Sequence, residues 1–145
     1  MNKSVSPRPW LVGVLLLIAL AALDGCSGTT QSPTSDPGPL NELSAAYRQA
    51  TAQLNRPPKS ADELQPHLAQ GKDVNNLLTS PNDGQPYVIL WGTDIRTGMD
   101  LKPLVVGYEK QGTNGARFVF TVMGVMLMGP EEFKEANFPP GHTPQ

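Results

Sequence analysis

The side chains able to do chemistry are few and scattered. The chain holds one cysteine, Cys26, and two histidines, His67 and His142. A reactive thiol needs a nearby base to form thiolate, and no histidine stands near Cys26 in the sequence. One cysteine cannot close a disulfide within its own chain. One thiol and two distant imidazoles do not make a tetrahedral zinc set, so no metal is expected. Serine, histidine and aspartate all occur, but without nucleophile-elbow spacing. The segments GTNGA and GKD lack the spaced glycines that precede Lys-Ser/Thr in a phosphate loop. Asn82, Asp83, Asp94 and Asp100 bring oxygens, too sparsely for a calcium loop, and read as solvated turn residues. No catalytic residue and no cofactor is expected. An enzyme would need two carboxylates converging in a cleft.

Cys26 has a telling setting. Lys3 and Arg8 precede an uncharged apolar run over residues 10–23. As a helix that run spans about 21 Å, short of the roughly 20 residues a stable membrane span needs. It has the length and basic flank of a signal-peptide core. The run closes on Leu23, Asp24, Gly25 and Cys26. These residues resemble the lipobox of bacterial lipoproteins: an aliphatic residue three before the cysteine, a small residue just before it, then the cysteine. Leu23 and Gly25 match, while Asp24 departs from the usual uncharged residue. The resemblance implies a diacylglyceryl group on the Cys26 thiol, cleavage before Cys26, and a membrane anchor made of lipid. Ser27 then implies sorting to the outer membrane of a two-membraned envelope. An uncleaved signal anchor is the alternative.

The chain divides by composition. Residues 1–25 read as signal peptide. Residues 26–39 follow as lipidated cysteine and Ser/Thr/Pro/Gly linker, a stretch with little to bury that is expected to be a disordered tether. Residues 40–138 form one globular domain, since the remaining length suits one core and not two. Residues 139–145, PPGHTPQ, are expected to be a loose tail. The net charge is −2, and losing Lys3, Arg8 and Asp24 with the leader makes it one unit more acidic. A mildly acidic chain without basic clusters is a poor match for nucleic acid.

Within the domain, Leu40, Leu43, Ala46, Tyr47, Ala50 and Leu54 fall at helical spacing on one face. Arg56, Pro57 and Pro58 end that helix. Ser60 and Glu63 read as a capping box opening a second helix, short or bent because of Pro66. After the turn cluster at 80–86 come four extended candidates: 87–91, 104–108, 117–122 and 125–128, rich in β-branched and aromatic residues. Tyr87 and Trp91 share a face and are expected to bury against the first helix. A loop at 109–116 joins the second and third. A type I turn with a bulged Gly124 is expected between the third and fourth. Residues 130–134 read as one helical turn, proline first and acids near its start. Helices followed by an antiparallel meander of three to four strands define an α+β fold.

Three of these pieces resemble pilin-like and pseudopilin-type globular domains. They are LNRPPKSADELQPHL at 54–68, TSPNDGQPYVILWG at 79–92 with Gly84, Pro86 and Tyr87 matching the family's turn, and the closing strands at 105–133. The resemblance implies N-terminal helices packed on the sheet. It does not imply filament assembly, because a chain carrying a lipobox lacks the long apolar helix of a pilin. The expected function is that of a non-enzymatic, membrane-tethered envelope lipoprotein acting by contact with an envelope protein. An accessory assembly-factor lipoprotein of an outer-membrane machine is the alternative in the binding class, and an enzyme is the third. If Val125 and Leu127 face the core, Met126 and Met128 are exposed and mark an interaction edge.

Overall fold

Pro37 fixes the entry to the first helix, α1, over Gly38–Leu54. The Asp36 carboxylate accepts the Gly38 amide at 2.8 Å, satisfying one of the open donors of the first turn. Leu40, Leu43, Ala46, Tyr47 and Ala50 are buried along one stripe, as the spacing predicts, while Leu54 lies outside it and is exposed. Asn55 closes the helix in the left-handed region, φ 52°, a conformation asparagine tolerates better than most residues. The structure is a computed structural model and describes residues 36–97 and 102–144. The expected signal peptide at 1–25, Cys26 and most of the 26–39 segment lie outside the described residues.

The second helix expected from Ser60 is instead two 3₁₀ turns, Ala61–Glu63 and Gln65–His67. Ser60 makes no side-chain cap. Glu63 turns back to Arg56, which meets it with two parallel bonds of 2.9 Å, and accepts the Lys59 amide at 3.0 Å. A bidentate guanidinium is a stronger partner for the carboxylate than the Ser60 amide a capping box would offer it, and Pro66 has no N–H to extend an α-helical ladder. A short helix, α2, follows over Val74–Leu77, with Asp73 accepting the Asn75 amide at 2.9 Å as its cap.

Four strands form one antiparallel sheet in chain order: β1 Val88–Ile89, β2 Val105–Tyr108, β3 Arg117–Thr121 and β4 Gly124–Met128. The fold is α+β with a four-stranded antiparallel sheet. A register irregularity between Val105 and Gly107 lets Val106 and Gly107 both serve the α1 side. Gly107 is opposite Ile89, and a Cβ there would stand 2.7 Å from the Ile89 side chain. The hairpin after β2 turns on Asn114 and Gly115, both at positive φ, between the bridged pair Thr113 and Ala116. Asn-Gly suits such a turn. The β3–β4 turn keeps Val122 and Met123 at negative φ and gives the positive φ, 143°, to Gly124.

Both faces of the sheet are covered. On one side Val106, Phe118, Phe120 and Tyr87 join the α1 stripe in the main core. Tyr47 stacks on Trp91 and meets Phe120 edge-on, so Tyr87 and Trp91 do pack toward the first helix. On the other side Val105, Tyr108, Val119 and Met128 pack against Phe133 of α3, Pro130–Lys134. The tail at 139–144 has no helix or strand, yet His142 is not loose. Its Nε2 lies 3.0 Å from the Tyr108 hydroxyl, and its ring packs against Tyr108 and Phe138. An aromatic shelf on the second face gives that end of the chain something to bind, which composition alone does not reveal.

Candidate functional site

The expected interaction edge is rearranged. Met128 is buried, 8% exposed, and Met126 is half-buried beside it, whereas Leu127 is 52% exposed. The strand alternates as expected, but the second face is no longer a solvent face once α3 folds over it. The methionines therefore pack against Phe133's cluster and Leu127 carries the apolar exposure. Met123, at the hairpin tip, is exposed too. A groove of about 290 Å³ runs beside β4, lined by Met126, Leu127 and Met128 and rimmed by Lys102, Glu132 and Glu135. Its rim carries both signs of charge. Glu132 accepts the Gly129 amide at 2.9 Å, and Glu135 pairs loosely with Lys102 at 3.4 Å.

A second constellation was not apparent in the sequence. Glu109, directly after β2, is 1% exposed. Its Oε1 accepts the Ser80 hydroxyl and the Asn82 amide group, each at 2.6 Å, and its Oε2 accepts the Phe118 amide at 2.7 Å. Three donors replace the water a buried carboxylate loses. Asp83 sits next to this group. Its Oδ2 accepts the amides of Gln111 and Gly112 and its Oδ1 that of Gln85, all at 2.9 Å. Partial burial pushes the Asp83 carboxyl up, but the Gly112, Gln85 and Gln111 amides with the Ser80 hydroxyl outweigh it and hold it below the usual range. Asn82 also exchanges bonds with the Asp36 backbone, tying the turn to the start of α1. Burial raises the Tyr87 hydroxyl to about 12, with the Glu109, Asp83 and Asp36 charges adding to the rise. Ser80 is near enough to offset this in part, without the geometry of a hydrogen bond.

This knot ties the 80–86 turn to the 109–118 hairpin. Two carboxylates do converge here, yet their oxygens face donors of the chain itself. Ser80 is 1% exposed, so its hydroxyl is presented to Glu109 and not to a substrate. In the sequence Glu109 is only an acid directly after the apolar run 104–108.

The other candidates are dispersed. Asp94 is held below the ordinary carboxylate range by hydrogen bonds from Arg96, side chain and amide. His67 lies in the second 3₁₀ turn, far in sequence and role from His142 on the sheet's second face. Asp100, Leu23, Gly25 and Cys26 lie outside the described residues. Among the described residues no three His, Cys, Asp or Glu side chains form a group able to hold a metal ion. Among them, too, no helix is long and apolar enough to cross a membrane. No protein-family model, curated protein or solved structure matches the chain.

Proposed function

We propose that this chain is a lipid-anchored protein of a bacterial cell envelope that works by contact with an envelope protein and not by catalysis. The observation that carries the reading is the order of residues up to Cys26: basic flank, uncharged run over 10–23, then Leu23, Gly25 and the chain's one cysteine. A diacylglyceryl thioether supplies two acyl chains, which meets the two-signal requirement for lasting attachment. The first helix starts at Gly38. The intervening residues, fully extended, reach about 40 Å, enough to hold the body clear of the lipid headgroups. Ser27 favours the outer membrane of a two-membraned cell. We read the body as pilin-like, on the strength of one long first helix followed by an antiparallel meander. Pilus assembly is not part of the proposal.

Metabolic labelling with a fatty acid tests the anchor. The full chain, made in a two-membraned bacterium, incorporates the label, and a Cys26→Ala chain does not. Equal labelling of both, or none of either, overturns the proposal.

A further inference from the structure

β4 is an edge strand of the sheet. The backbone direction of β3 shows which groups of β4 are unused. Phe118 donates its N–H to Glu109 Oε2, and its carbonyl accepts the Glu109 amide at 3.0 Å, so both point toward β2. Backbone direction alternates along a strand. Arg117, Val119 and Thr121 therefore face β4, where they pair with Met128, Met126 and Gly124. Val125 and Leu127 are left with N–H and C=O turned outward. No hydrogen bond to a described residue reaches those four groups.

Within β4 itself the usual protections of an edge are missing. Natural edges are blunted by charge, proline, bulges or shortness. No charged residue lies between Arg117 and Glu131 and no proline lies within β4, and its register with β3 is continuous over five residue pairs. The opposite edge, β1, has only two strand residues and follows Pro86.

We propose that β4 pairs antiparallel with β4 of a second copy about a two-fold axis at Met126. In that register Val125 stands opposite Leu127 of the second copy, and Leu127 opposite its Val125. All four outward groups then bond, two per pair, and no other antiparallel register within β4 uses them all. Side chains agree with the backbone. Val125 packs on the α1 side, and Leu127, on the same side by strand alternation, gains an apolar cross-strand neighbour. Met123 comes opposite Gly129 of the second copy, which has no side chain to obstruct it. On the other face the two Met126 side chains meet, joining the two grooves. Their rims, with Lys102 and the two glutamates, carry both signs of charge. The result is one continuous eight-stranded sheet. A self-complementary register favours a second copy over an unrelated strand.

The test uses the full chain in mild detergent. Sedimentation equilibrium is expected to show a dimer. Leu127→Lys, at a largely exposed position, is expected to leave the circular dichroism spectrum unchanged and weaken the dimer roughly tenfold or more by replacing two apolar cross-strand pairs. In a Cys26→Ala background, Met126→Cys is expected to form an intermolecular disulfide on mild oxidation. A non-hydrogen-bonded pair places its Cα atoms about 4.5 Å apart, within disulfide reach. A monomer at about 0.1 mM, a concentration that populates any dimer of micromolar affinity, overturns the proposal. So does a dimer that Leu127→Lys does not weaken, or a dimer in which folded Met126→Cys does not cross-link. If Met126→Cys fails to fold, sedimentation with Leu127→Lys decides alone.

Discussion

Replacing Glu109 probes whether the buried knot is held by charge. The carboxylate accepts three donors at 2.6, 2.6 and 2.7 Å and is almost wholly enclosed. Glu109→Gln keeps the volume but has only one acceptor oxygen. If that oxygen stays with Ser80 and Asn82, the new NH₂ confronts the Phe118 amide, donor against donor. The loss is one charge-assisted bond and one buried donor, about 2 kcal/mol. Glu109→Ala leaves all three donors without their acceptor and opens a cavity, roughly 4 kcal/mol. A domain of this size has a total stability of about 5–15 kcal/mol. Urea unfolding with an m of about 1–1.5 kcal/mol per M then shows midpoints lower by roughly 1.5 M for Gln and by twice that for Ala. Midpoints for both variants within the scatter of the parent chain would refute the reasoning. An equal loss in both would assign the effect to the missing charge and acceptor and none of it to the cavity.

Other consequences follow from single contacts. Phe120→Ala, in the main core against Tyr47, is expected to cost about 3–5 kcal/mol, read by the same unfolding experiment. Gly112→Ala places a Cβ 2.1 Å from the Ala116 carbonyl oxygen at a φ of +68°, so the 109–117 hairpin must rearrange; thermal unfolding is expected to drop by several degrees. On acidification, Glu63, drawn down to about 2 mainly by hydrogen bonds from Arg56, and Asp83, also lowered, bind protons more weakly folded than unfolded. Their stabilisation is present above the ordinary carboxylate range and is lost as pH falls through the lowered values, about 2 for Glu63. Glu63→Gln is expected to flatten that acid limb in a pH titration of stability. At high pH the sign reverses. Tyr87, raised from 10 to about 12 by burial, contributes fully below pH 10 and loses its contribution through about 12, which Tyr87→Phe removes.

Elements with a repeating pattern were legible in the sequence. The α1 stripe repeats at three and four residues, and the strands alternate or run apolar between turn residues. The capping box at Ser60 misled because Arg56, seven residues before Glu63, competes for the same carboxylate, and nothing local reveals that. The helix Val74–Leu77 is too short to show a period. The facing of β4 could not be read because alternation gives two faces without saying which is covered; here both are, and only the tertiary position of α3 and Phe133 decides that Met128 goes inside. The Glu109 knot is long-range, joining residues 27 to 29 positions apart. The His142 contact with Tyr108 spans 34 positions. Neither has a local signature beyond residue type.

The most direct test of the central claim is the intact mass of the full chain purified from the membrane fraction, beside Cys26→Ala. The account predicts a polypeptide beginning at Cys26 and heavier by covalent lipid, and a variant that carries no lipid. An unmodified polypeptide that still begins at Met1 would contradict it, and would make residues 10–23 a membrane anchor in their own right.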